Sequence, residues 1–446
     1  MNIIKLLRGT TEKQRLAFLF TFALLLRIIT ILVMGQNQNL YENGEIALHL
    51  ITGKGFAYDY FPPATPVQPT SIMAPFYPFF LATFFLLFGV NQTAILAVQL
   101  IQVIIGGLTI FPIYYLAKMF FSQRTGVVSC LVFAVYPDFL YSVFSVHQLV
   151  FTTFLVPILV YFSSNLQKTP THRKAVVCGM LYGFSLLVEP VIISVFGLII
   201  LWIVISWIKR MPKKAISSKS LHRFSFKRKV VAIAILIATC GLVILPWEVR
   251  CLIVYEGNFI FIKGSGFNLW RGNNAKYTET GIPPWYPREM VANSGLSKEG
   301  EIERMFYDSA RSYISNHILE TLYNSLRKII DFWWFPKILP EQSPPLRQTL
   351  YAPLLLLAIG ALFYERKRIK ELTPLLVPLL GFTLLYSITF VLPRYRIPVQ
   401  PLMFIFSAYG LMVILEAIKV RFRPMRRKVY KSELEMDNHT LKVKRS

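Results

Sequence analysis

Apolar residues gather along this chain in eleven long runs, at 16–34, 73–90, 94–117, 125–142, 148–164, 175–189, 190–208, 230–248, 349–363, 372–392 and 398–418. Most approach the roughly 20 residues that an α-helix needs to cross a bilayer. Within them the apolar positions are nearly continuous, with no polar face recurring every third or fourth residue, so they predict lipid-embedded helices and not the amphipathic helices of a soluble core. One stretch in the polar part of the chain behaves differently. From Glu301 to Trp334 apolar residues recur at Met305, Ile314, Leu322, Leu326, Ile330 and Trp333, and an amphipathic helix ending in Phe-Trp-Trp-Phe predicts a seat at the membrane interface, with the aromatic rings at headgroup depth.

The intervals between runs sort by charge. Lys209–Lys229 carries nine Lys or Arg and no acid, Glu365–Lys370 carries four, and the chain from Lys419 onward is strongly basic, as is the N-terminus with Lys5, Arg8, Lys13 and Arg15. Basic segments stay on the cytoplasmic side, and Lys118–Arg124 and Lys168–Lys174 join them. Eleven crossings would leave the two ends on opposite sides, so one run must fail to cross. The run 73–90 is the choice, because it contains Pro75 and Pro78 and stops at Phe-Gly-Val-Asn. The alternative lets 73–90 cross and makes 175–208, interrupted at Glu189-Pro190, one long broken helix.

The prediction is an all-α polytopic membrane protein of about ten transmembrane helices. It has external segments at about 35–93 and 249–347, shorter external turns at 141–147 and 393–396, and one domain over 1–418 followed by a basic cytoplasmic tail at 419–446. In the first external segment, helical spacing over Gly44–Leu50 ends at Gly53-Lys-Gly55, a helix stop. In the second, Gly264-Ser-Gly266 and Gly281-Ile-Pro-Pro284 predict turns.

Composition agrees: 54% of the residues are hydrophobic and 16% charged. The net charge of +25 would suit nucleic acid, but the cations cluster between apolar runs and in the tail, where they set topology and meet anionic membrane lipids; no nucleic-acid partner is expected. Cys130, Cys178 and Cys240 lie within apolar runs and Cys251 just past one, without Cys-x-x-Cys spacing, so neither a disulfide framework nor a metal knuckle is implied. The first run follows basic residues as a signal peptide does, but it is long and leads into Gly-Gln-Asn-Gln, which predicts an uncleaved first helix.

The chemistry-bearing stretch is Tyr41 to Pro78. It opens Tyr41-Glu42-Asn43-Gly44-Glu45, two carboxylates just beyond the first span. Partial burial would raise a Glu pKa toward the working range of a general base; equally, the two are solvated charges that favour a helix N-terminus. The pattern Tyr-Glu-x-Gly-Glu-Ile-Ala-x-x-Leu-x-x-Gly-x-Gly-Phe, then Gln-Pro-Thr-Ser-Ile-Met-Ala-Pro-Phe-Tyr-Pro, resembles the bacterial branch of the protein O-mannosyltransferase-like and lipid A aminoarabinose transferase-like enzymes of the GT-C superfamily. Gly266-Phe-Asn-Leu-Trp-Arg-Gly-Asn-Asn274 and Arg394-Tyr-Arg-Ile-Pro-Val-Gln-Pro401 extend the likeness over most of Leu16 to Glu416. It implies a GT-C-like bundle in a bacterial-type plasma membrane, with both termini cytoplasmic and an active site on the external face. It also implies transfer of a sugar from a polyprenyl-phosphate donor to a lipid, glycan or protein acceptor. Where relatives carry an early Asp, this chain has Asn37 and Asn39, and its first Asp is Asp59. Glu42, then Glu45, are left as candidate bases, in a direct inverting displacement from which polyprenyl phosphate departs.

Two further constellations join them. Arg394-Tyr395-Arg396, shaped by Pro393 and Pro398, suits bidentate grip of a lipid phosphate, or else ordinary interfacial snorkelling. Asn268, Trp270, Arg271, Asn273 and Asn274 combine a stacking ring, a cation and amides that fit sugar hydroxyls, or else a turn whose Asn side chains serve their own backbone. Arg27 and Glu189 are ionisable groups in apolar runs and hence site candidates; His147 and Asp138 flank a short external turn. The sparse His, Asp and Glu show no metal-ligand spacing; a divalent metal remains compatible with the chain. A transporter or flippase would instead line a midplane cavity with polar residues, and a non-catalytic relative would bind the lipid-linked sugar without turning it over.

Overall fold

The computed structural model describes residues 10–34, 40–59, 61–62, 65–209, 226–255, 265–284, 287–335 and 345–420. Asn37, Asn39, Gly264, most of the 209–229 loop and the tail beyond Val420 lie outside them. Among the described residues the protein is an almost wholly helical bundle with one two-stranded antiparallel hairpin, Ala57–Tyr58 with Gln68–Pro69. Each run expected to cross has become helical: Glu12–Met34, Gln92–Phe120, the bent pair Gln123–Val135 and Pro137–Phe144, Leu149–Lys168, His172–Val188, Ile192–Lys209, Phe226–Val254, Pro345–Tyr364, Ile369–Ile388 and Gln400–Val420. By length and composition seven of the described helices suffice to cross a membrane, or eight if the pair bent by 52° counts as one span.

Two of the expectations about crossings meet direct observations. Phe76–Phe88 has 13 residues, about 20 Å at 1.5 Å per residue, short of the ~30 Å hydrocarbon core. The segment 175–208 is not one long broken helix. Tyr182 and Phe196 bring their rings to 4.6 Å, and Trp207 Nε1 donates to Gln167 O at 2.9 Å, so the chain folds back on itself at Glu189-Pro190. Pro190 supplies no amide hydrogen to continue the first helix, and the next one restarts at Ile192.

The two ends of the bundle differ. At one end, Lys118 Nζ pairs with Glu12 at 2.7 Å, Arg368 donates to Phe120 O and Arg228 to Pro170 O, so the basic intervals assigned to the cytoplasm converge. Local caps start these helices: Ser122 accepts from Thr125 N, and Thr171 from Lys174 N.

At the other end the two long polar segments fold together. Arg250, at the top of Phe226–Val254, donates to Thr70 O at 2.6 Å and Phe56 O at 2.9 Å. Gln68 Nε2 donates to Ser297 O at 2.8 Å, and its Oε1 accepts from Glu299 N at 3.2 Å. Phe61, Phe267, Val291, Ile302 and Phe306 close a small external core. Gly264-Ser-Gly266 leads not into a turn but into a short helix, Ser265–Gly272, packed on Glu299–Asn316. The amphipathic run breaks at His317 into Glu299–Asn316 and Ile318–Trp333. The second helix is inverted relative to a soluble one: Asn324 and Lys328 are buried, whereas Leu322, Leu326 and Ile330 stand 58%, 63% and 65% exposed.

Small residues set one close helix contact. His172–Val188 lies against Phe226–Val254, and a Cβ on Gly179 would sit 2.5 Å from Leu236 O and one on Gly183 2.6 Å from Val243 Cβ. The four-residue spacing of these glycines lets the two backbones approach. Gly183→Val is expected to lower stability by about 1–3 kcal/mol through overpacking. Gly197→Ala, where a Cβ meets nothing within 4 Å, is expected to leave it unchanged; thermal unfolding of the purified protein in detergent compares the two.

Candidate functional site

Side chains from four distant segments meet at the end of the bundle that carries the polar segments. Asn43, on helix Tyr41–Ile51, donates from Nδ2 to Gln148 Oε1 at 3.1 Å. Gln148 bonds in turn to the Glu189 carboxylate, which also accepts from the Val191 backbone. Glu189 lies within electrostatic reach of Arg394, Tyr386 and Tyr395, and His147 of Arg394. Tyr395 stacks on Tyr386 at 4.3 Å and 15°, with Phe390 edge-on at 5.5 Å.

Each member is placed for a local reason. Gln102 Nε2 donates to Val143 O and Ser145 O, and Gln99 Nε2 to Phe144 O, which fixes the turn carrying His147 and Gln148. Tyr77 of the short helix Phe76–Phe88 donates to Gln102 Oε1 at 2.6 Å. Glu189 caps His172–Val188 where the chain reverses. Gly44 leaves room for Leu40, whose Cβ would otherwise meet a new Cβ at 2.1 Å, and Tyr41 enters its helix from the left-handed region at φ 49°, a strained choice for a non-glycine residue.

The arginines of Arg394-Tyr395-Arg396 divide. Arg394 is exposed, bonds to Tyr395 and forms no salt bridge among the described residues. Arg396 is fully buried between the rings of Phe335 and Tyr351, at 4.1 and 4.3 Å, and donates to Phe332 O and Trp334 O. Asp138 lies beneath it, paired with Arg347 at 2.5 Å and accepting from Gln400. Burial, with Arg394 close by, pushes the His147 imidazole down to about 3, so it is neutral at pH 7.

The first-loop acids sit beside this junction. Glu42 is half-buried in the turn that presents Asn43. Glu45 is largely exposed: partial burial raises its carboxyl pKa, Glu42 and Asp59 raise it further, and His49 opposes them. His49 Nδ1 is bonded to Ala57 O, and Asp59 accepts from Thr65 Oγ1. Among the described residues no three His, Cys, Asp or Glu side chains gather closely enough to hold a metal ion.

The second-loop motif is largely engaged in its own fold. Asn274 caps helix Ala275–Thr280 by accepting from Tyr277 N and donates to Trp270 O. Asn273 donates to Leu269 O and Ile388 O, both at 2.8 Å. Trp270 packs on Phe306 at 5.1 Å, and Arg271 stands over Phe390 at 3.9 Å and bonds to Pro284 O. Asn268 is half-buried beside them. Arg27 is fully buried, 4.8 Å from the Phe133 ring, and donates to Ala23 O within its own helix.

Comparison with known proteins follows this geometry. The structure overlays the oligosaccharyltransferase of Archaeoglobus fulgidus in its apo form with a TM-score of 0.56 at 14% identity, over 95% of this chain and 52% of that one. It overlays AglB of the same organism, in complex with an inhibitory peptide and a dolichol-phosphate, with a TM-score of 0.55 at 14% identity, over 93% and 51%. The fold is therefore that of the archaeal oligosaccharyltransferase. Residues 71–247 match the family described as dolichyl-phosphate-mannose-protein mannosyltransferase. ArnT from Cupriavidus metallidurans bound to undecaprenyl phosphate aligns at 13% identity over 90% of this chain and 78% of its own, with a TM-score of 0.40. The chain spans about half the length of the archaeal structures it overlays. No curated protein sequence matches it.

Lys328 and Gln148 are absent from the reading of the sequence. The signal for Lys328 was its place four residues after Asn324, on the face opposite the apolar stripe. Its Nζ donates to Asn273 Oδ1 at 3.4 Å and lies 5.1 Å from the Tyr277 ring, and burial pushes the amine down to about 7. A depressed amine pKa means that the unfolded chain binds more protons than the folded one between about pH 7 and pH 10. The stability of the wild type relative to Lys328→Met is therefore expected to rise across that window and to be flat below it, read from unfolding midpoints at a series of pH values.

Proposed function

We propose that this protein transfers a sugar from a polyprenyl-phosphate donor to an acceptor hydroxyl at the outer face of the membrane, with inversion at the anomeric carbon. The observation that carries this reading is the junction itself: Arg394, exposed and without a salt bridge among the described residues, shares one site at the bundle end with the half-buried Glu189 carboxylate. Inverting displacement needs a base and a cation on opposite sides of the reacting carbon, separated rather than paired, because one takes the acceptor's proton while the other steadies the departing phosphate. Phosphate leaves readily, so no general acid is required.

The fold and the matched family support a lipid-linked donor, as does the dolichol-phosphate held by the archaeal neighbour. Arg394 is the phosphate contact, flanked by Tyr395; Arg396 holds the turn from beneath. Trp270, Arg271 and Asn268 border the acceptor side with His147, while Asn273 and Asn274 keep that border in shape. Glu42 and Glu45 line the first-loop edge of the site. The convergence of basic intervals at the opposite end favours cytoplasmic termini and a plasma-membrane location.

Purified protein offered a panel of polyprenyl-phosphate sugars is expected to transfer at least one of them. Arg394→Ala is expected to lower kcat/KM by about 100-fold, the scale of one lost charge-assisted contact in the transition state, with partial recovery in Arg394→Lys. Glu42→Gln and Glu45→Gln, assayed alongside, report whether either first-loop acid takes part. A wild type that transfers nothing, or an Arg394→Ala variant at full rate, would overturn the reading.

A further inference from the structure

Resting on that reading, we infer that Glu189, and not a first-loop glutamate, is the general base that accepts the acceptor's proton. Three observations point to it. The carboxylate stands at the Glu189-Pro190 reversal, held from one side by Gln148 and by the Val191 backbone, so one oriented group is presented at the junction. It is within electrostatic reach of Arg394 without forming a salt bridge to it, so base and phosphate contact are neighbours that do not neutralise each other. Glu45, by contrast, is exposed, and the charges around it are Glu42, His49 and Asp59.

The step balances without a further reactant. The acceptor oxygen bonds to the anomeric carbon as its proton passes to the Glu189 carboxylate. The bond from that carbon to the phosphate oxygen breaks, and its electron pair leaves on polyprenyl phosphate beside Arg394. Glu189 then returns the proton to water. Asn43 links the first-loop helix to the base through Gln148, so the loop positions the base without supplying it.

The titratable and charged groups facing Glu189 are Arg394 and Tyr395 from the 393–396 turn, Tyr386 from Ile369–Ile388 and, one shell out, His147 from the turn after Phe144. Tyr395 is neutral in the working range because burial raises its phenol, and His147 is neutral because burial lowers its imidazole. Protonation of Glu189 is thus the step that removes activity on the acid side.

Transfer kinetics of Glu189→Gln, an isostere that keeps a hydrogen-bonding partner for Gln148, test the assignment. The expected result is a fall in kcat of about 10²–10⁴-fold with donor KM within about threefold, loss of the acid limb of the kcat/KM profile in the residual activity, and partial recovery in Glu189→Asp. Wild-type transfer together with a Glu189→Gln variant that keeps its kcat, loses activity only through KM, or keeps the acid limb overturns this inference alone; so does a loss of the same size in Glu42→Gln with Glu189→Gln intact. A wild type that transfers no sugar overturns the proposed function and the inference with it. If Glu189→Gln does not fold, Glu189→Asp is decisive: slowed turnover at unchanged KM supports the base, and full turnover overturns it.

Discussion

Backbone carbonyls cannot be left bare in hydrocarbon, and this requirement organises the end of the molecule that carries the site. At several of the described turns there, a buried or half-buried amide or guanidinium reaches across to satisfy backbone oxygens. Gln102 and Gln99 serve Val143, Ser145 and Phe144, Asn273 serves Ile388, Arg396 serves Phe332 and Trp334, and Arg250 serves Phe56 and Thr70. Each such bond crosses between segments far apart in sequence. The turns that present His147, Gln148 and Arg394 are therefore held by the bundle and not by their own flanks, the kind of support a preorganised site needs.

This arrangement also explains what could be seen in the sequence. Apolar continuity located every described helix long and apolar enough to cross a membrane, because a lipid-embedded helix must be apolar along its length and the limits of such runs are sharp. Charge located the reversal at the basic end, and the Glu189-Pro190 pair marked a break, although its direction became clear only from the Tyr182–Phe196 contact. The amphipathic run 301–334 was visible as a period, but its interruption at His317 was not, since neither proline nor glycine marks it.

The site was less legible because the same residue types bind ligands and satisfy backbone. Asn273 and Asn274 look alike in composition to a sugar-binding pair, yet they close carbonyls and cap a helix. Arg394 and Arg396 are two residues apart and were read as one grip, but a tight turn sends one outward and the other into an aromatic sandwich. Gln148 joins Asn43 to Glu189 across 105 positions on one side, and no local pattern announces such a pairing. Glu42 drew attention by lying beside a first span; Glu189 lay inside an apolar run, where its carboxylate needed three-dimensional neighbours to acquire a role.

The inverted helix Ile318–Trp333 carries a practical consequence. Its polar side is committed inward through Asn324 and Lys328, so among the described residues no protein covers the greasy side. Extraction exchanges whatever acyl chains lie over that stripe for surfactant, and dilution below micelle-forming concentrations would leave it to find another copy. Because the end of the same helix supplies the carbonyls that anchor Arg396, the choice of solubilising agent reaches the 393–396 turn through two hydrogen bonds.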